Sequence, residues 1–160
     1  MEKFRLSIGD WSGDGHSHSE DFVYSSNYPV EALQQAYKDS CKLTGLQFNY
    51  NENYSGLKDH DGYGTKRHIC TEYQEGELTS FAKKTLQEHG IDTHDFETDG
   101  CTDNFAKLIL DFIALSMPKD FDYAEEAFKK SELKDGTIKP LNGWWNNKLN
   151  VQFGYGIMGD

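Results

Sequence analysis

Residues Asp10 to Asp21 read Asp-Trp-Ser-Gly-Asp-Gly-His-Ser-His-Ser-Glu-Asp, and their spacing suits a hard cation. Asp10, Ser12, Asp14 and Asp21 fall at the first, third, fifth and twelfth places of a calcium-loop register, with Gly15 at the sixth. Oxygen donors at that spacing can wrap calcium, and the glycine permits the sharp turn between them. His16 and His18 stand two residues apart in the same loop, which on extended backbone points both rings one way and would suit zinc or nickel. Two features weaken the calcium reading. Asp21 is shorter than the bidentate Glu expected at the last place, and the flanks carry strand patterns where a calcium loop needs helices. A self-capped turn, with Asp10 and Asp14 accepting from backbone amides, is the preferred reading of the loop.

A poorer copy of the register follows at Asp95, Glu97, Asp99, Gly100 and Asp103, with Ala106 where the last carboxylate should be. It reads better as a helix start, because acidic residues complement the positive end of a helix dipole. Cys101 sits just before that helix, and His94 and Asp95 lie a few residues upstream. A thiolate, an imidazole and a carboxylate could form a nucleophilic set, and Asp59 and His60 offer further acid–base groups. Local carboxylates disfavour a thiolate, so a small buried cysteine is the preferred role. Trp144 and Trp145, with Tyr63 and Tyr73 as neighbours, could form a stacking platform for a partner, or a core plug with one exposed ring.

The chain that must position these groups is acidic, with 27 Asp and Glu against 16 Lys and Arg and a net charge of -11. Its only arginines are Arg5 and Arg67. A surface that tracks phosphates needs clustered Lys and Arg, so nucleic-acid binding is not expected. A basic protein is the partner class that the charge suits. The 160 residues fit one domain, 1–160, with 36% hydrophobic and 14% aromatic residues, so Phe, Tyr and Leu must fill the core. Three cysteines, Cys41, Cys70 and Cys101, are odd in number and widely spaced, and no basic-then-apolar leader opens the chain. A reduced cytoplasmic setting is expected. The apolar run Leu108 to Leu115 is broken by Asp111 and is too short for a bilayer, so no membrane partner is expected.

Periodicity supplies the elements. Phe4, Leu6 and Ile8 alternate as a first strand, and a second is expected near Asp21 to Ser25. Val30, Leu33, Tyr37 and Cys41 recur at helical spacing between Pro29 and Gly45. Leu46, Phe48 and Tyr50 predict a third strand, and Arg67 to Tyr73 a fourth. Leu78 to Leu86 predicts a second helix closed by Gly90, and Asp92 to Thr102 an acidic loop. Asp103 to Met117 predicts a central buried helix, capped by Thr102 and stopped by Pro118. A shorter helix near Tyr123 to Leu133 and a final strand through Val151, Phe153, Tyr155 and Ile157 complete the chain.

The expected fold is α+β: a single antiparallel or mixed sheet of about five strands packed on about four helices, in the order ββαββαααβ. If successive elements alternate in direction, the Asp10–Asp21 loop lies at one end. The Asn51–Lys66, Ile91–Thr102 and Asp135–Asn150 connections then lie at the other. No residue pattern resembles the signature of a known family. The leading expectation is a non-enzymatic protein that binds a macromolecule, of inhibitor or immunity type. The alternatives are a calcium-type module built on Asp10, Ser12, Asp14 and Asp21, and a hydrolase or thiol enzyme using His94 and Cys101.

Overall fold

Alternating large apolar residues on two neighbouring segments make a long hairpin the organising unit of the fold. The computed structural model describes residues 2–11, 17–46, 70–72, 77–78, 80–99, 101–141 and 152–154. Strands β1 (Glu2–Trp11) and β2 (Ser17–Ser26) pair antiparallel, with Phe4 opposite Tyr24 and Leu6 opposite Phe22. These four side chains are buried on one face of the hairpin. The expected loop from Asp10 to Asp21 is thus largely strand, a correction to the sequence reading. Polar residues at Asp10 and over Ser17–Asp21 hide the alternation that marks the rest of the paired strands.

Helix α1 (Val30–Thr44) follows, with Pro29 as its N-cap and Val30, Leu33, Ala36, Tyr37, Ser40, Cys41 and Thr44 on its buried stripe. Gly45 ends it at φ 76°, donating its N–H to the Cys41 carbonyl at 2.8 Å. That left-handed geometry is strained for residues with a Cβ, which is why glycine closes the helix. Short strands β3 (Cys70–Glu72) and β4 (Glu77–Leu78) form a separate two-stranded sheet. Leu46 is buried in the core just past the helix, and the rest of the expected third strand, Phe48 and Tyr50, lies outside the described residues.

Helix α2 (Ser80–Glu88) buries Ala82 and Leu86, and Gly90 turns the chain at φ 82°. The expected acidic loop after it contains a helix, α3 (His94–Thr98), anchored by a single buried aromatic, Phe96. One apolar residue over five positions gives no readable period. Helix α4 (Thr102–Ala114) is the buried centre predicted from its composition: Phe105, Leu108, Ile109, Leu110, Phe112 and Ile113 are all buried. Its last expected turn, Leu115 to Met117, is a tighter run of i→i+3 bonds, and its N-cap is Cys101 instead of Thr102. Phe112 meets Tyr37 of α1 edge to face at 5.7 Å, and Phe105 meets Phe96 of α3 at 5.5 Å.

The expected helix over Tyr123–Leu133 is replaced by strand β5 (Tyr123–Glu125) and a short helix α5 (Lys130–Lys134). The first three residues are taken by the free edge of β2, where Tyr24 pairs with Glu125 and Ser26 with Tyr123. Glu132 then starts α5 by accepting the Lys129 N–H at 3.1 Å. Strands β6 (Lys139–Pro140) and β7 (Gln152–Gly154) both run parallel to β1 along its other edge. The main sheet is therefore mixed, in the order β5-β2-β1-β6, with β7 also on β1. The α+β class stands, and the element order departs from expectation chiefly after α4. Among the described residues no helix is long and apolar enough to cross a membrane.

Candidate binding cleft

Helix α4 is apolar over most of its surface, but Asp103, Lys107 and Asp111 recur at i+4 spacing and share one polar stripe. Three neighbours frame that stripe. Helix α3 is held to α4 by Asn104, whose side-chain amide donates to the carbonyls of Asp99 at 2.8 Å and Asp95 at 3.2 Å. Ahead of α3, the Asp92 carboxylate accepts the His94 N–H at 2.9 Å, and Thr93 donates to Glu97 at 2.8 Å. Strand β5 is sewn to β2 by Asn27, which donates to the Asp120 carbonyl at 2.7 Å and accepts from the Asp122 N–H at 3.0 Å. Ser25 adds a bond to Glu126 at 2.9 Å.

Between α4, β2 and β5 lies a cleft of about 420 Å³. Its lining is Tyr24, Leu110 and Tyr123 on the apolar side, with Asp103, Asn104, Lys107 and Glu125 as polar groups. A smaller hollow adjoins it, sharing Asn104 and Lys107 and bounded by Asp92, Asp95, Phe96, Leu108 and Asp111. The two together carry the carboxylates of Asp92, Asp95, Asp103, Asp111 and Glu125 against the single ammonium of Lys107. Lys107 pairs with Asp95 at 3.6 Å, but both side chains are more than half exposed and the pair is worth little in water.

Electrostatics reflect the crowding. Burial pushes the Asp111 carboxyl above its ordinary range; Lys107 opposes the shift and Asp92 adds to it. Burial also raises the Tyr123 hydroxyl, aided by Asp111 and Asp122. Tyr24 is raised in the same way, by burial first and then by Glu125, Tyr123 and Asp103. Both phenols therefore stay protonated at neutral pH and can donate or accept hydrogen bonds. The cleft offers negative charge, aromatic surface and hydroxyls, a set that matches a cation with N–H donors.

Asp10 pairs with His18 and Asp21 with Ser7, so Asp10 and Asp21 are three register positions apart, about 10 Å along the ladder. Asp21 accepts from the Ser7 hydroxyl at 2.6 Å and lies 4.0 Å from Arg5. Ser12, Asp14, Tyr63, Trp144, Trp145, Asp59 and His60 lie outside the described residues. His94 opens α3 and Cys101 caps α4, and among the described residues no hydrogen bond joins them. Burial pushes the Cys41 thiol up to about 12, far from a thiolate at neutral pH. Among the described residues no group of three or more His, Cys, Asp or Glu could hold a metal ion.

Sequence reasoning missed Tyr24, Asn104, Lys107, Tyr123 and Glu125. One signal was available: a polar stripe at i+4 spacing on the most apolar helix of the chain. Compared with protein-family profiles, with curated proteins and with solved structures, the chain gives no match in any of the three.

Proposed function

We propose that this protein works by binding and not by catalysis, taking a basic segment of another protein into the acidic cleft between α4, β2 and β5 and the hollow that adjoins it toward α3. The observation that carries the reading is the lining: Asp103, Glu125 and Lys107 border a floor of Tyr24, Leu110 and Tyr123, and the adjoining hollow adds the carboxylates of Asp92, Asp95 and Asp111. Aromatic floors with charged rims suit protein partners, because the ring supplies contact area while the charges steer approach. A net charge of -11 extends the same attraction beyond the cleft. An inhibitor or immunity-type role, neutralising a basic protein, fits these properties. Cys41 and Cys101 are free thiols, in keeping with a reduced cytoplasmic setting.

The test is to titrate the full chain with basic proteins and lysine- and arginine-bearing peptides at low and at high salt. Binding that weakens steeply with salt, and that is lost on Asp103→Lys or Glu125→Lys, supports the reading. Absence of binding, or binding indifferent to both salt and charge reversal, overturns it.

A further inference from the structure

We propose that the larger cleft selects an arginine side chain of its partner, reading a planar guanidinium over a lysine ammonium. This rests on the proposed function and specifies its chemistry. The first observation is Tyr24. It is only 7% exposed, yet it lines the cleft, and among the described residues its hydroxyl has no hydrogen-bond partner. Glu125 and Asp103 line the same cleft as Tyr24. A hydroxyl left open inside a cleft is available to a ligand. The phenol oxygen keeps lone pairs that can accept from a ligand N–H.

The second observation is the spread of the acceptors. Asp103 lies in the first turn of α4 and Glu125 at the end of β5, so the two carboxylates stand on different elements with Tyr24 on a third. A guanidinium carries five donors in a rigid planar fork and can engage several acceptors at once, while an ammonium is a compact point charge. The third is the aromatic pair. Tyr24 and Tyr123 meet edge to face at 5.7 Å and 88°, and the half-buried Tyr123 keeps part of its surface on the cleft. Guanidinium stacks on aromatic surface and is weakly hydrated, so it leaves water more readily than ammonium. Lys107, the one cation in the lining, also borders the smaller hollow, where Asp95 lies 3.6 Å away.

The experiment uses the full chain and two peptides identical except for a central Arg or Lys, with affinities read by calorimetry at low salt. The arginine peptide should bind about tenfold tighter, the worth of one additional charge-assisted bond. Tyr24→Phe, which keeps the ring in the core, should weaken the arginine peptide about three- to tenfold and the lysine peptide less. Glu125→Gln, at an exposed position that does not threaten folding, should narrow the preference as well. Equal affinities for the two peptides would overturn the arginine assignment and leave the proposed function standing. A preference unchanged in both variants would also overturn it. If neither peptide binds, the proposed function fails and this inference fails with it.

Discussion

Asn104 of α4 donates its side-chain amide to the backbone carbonyl of Asp99, 2.8 Å away at the end of α3. A second bond from the same nitrogen reaches Asp95 at 3.2 Å. One side chain thus ties together two helices whose carboxylates line the cleft and the hollow beside it. Asn104→Ala should cost about 1 kcal/mol, since these bonds are near the surface and exchange with water. It should also weaken a basic peptide more than its lost stability suggests. Urea unfolding together with peptide titration checks this; unchanged stability and unchanged binding would remove Asn104 from the account.

Asp111 gives a pH signature. Its carboxyl is held above its ordinary value of 3.8 mainly by burial, so the native state binds the proton more tightly than the unfolded chain. Stability from this group is therefore full below the unfolded value, and it is lost as pH rises from there through the raised folded value. Asp111→Asn should raise the melting temperature at neutral pH and match the parent in acid. A variant less stable than the parent at neutral pH would show that the ionised carboxylate is stabilised in the fold.

The core prediction concerns Phe112, fully buried and edge to face with Tyr37 between α1 and α4. Phe112→Ala should cost about 3–5 kcal/mol through lost burial and the cavity left behind. Denaturant midpoints check the value. A cost under about 1 kcal/mol would mean that the α1–α4 contact does not organise the core.

A fourth prediction separates the hairpin from a cation loop. Asp21 is already engaged by Ser7 and Arg5, and it stands three register positions from Asp10. Adding calcium or a chelator should leave the melting temperature unchanged. A rise with calcium concentration, as mass action requires of a native-state ligand, would restore the Asp10, Ser12, Asp14 and Asp21 site.

Much of the fold was legible where burial leaves a period in the sequence. Val30, Leu33, Tyr37 and Cys41 announced α1, and the apolar run from Phe105 to Ile113 announced α4 as the centre. Gly45 marked its cap because only a left-handed residue closes that helix. Three elements were hidden for separate reasons. The outer half of the hairpin carries polar residues, so Asp10 and Asp21 looked like loop. Helix α3 shows only Phe96 to the core. At Tyr123 to Glu125 the deciding factor is non-local: the open edge of β2 claims these residues through Tyr24 and Ser26, which no local propensity records.

The cleft was illegible for the same non-local reason. Tyr24 and Tyr123 are 99 positions apart and meet only because β5 pairs with β2. Asp103 and Glu125 join them from α4 and β5. Only the α4 contribution left a local trace, in the spacing of Asp103, Lys107 and Asp111.

The most direct measurement is a backbone amide NMR titration of the full chain with a short arginine-bearing peptide. The largest shifts should fall on Asp103 to Asp111, on Tyr123 to Glu125 and around Tyr24, and added salt should reverse them. Shifts confined to other elements, or no shifts at any peptide concentration, would contradict binding in the cleft.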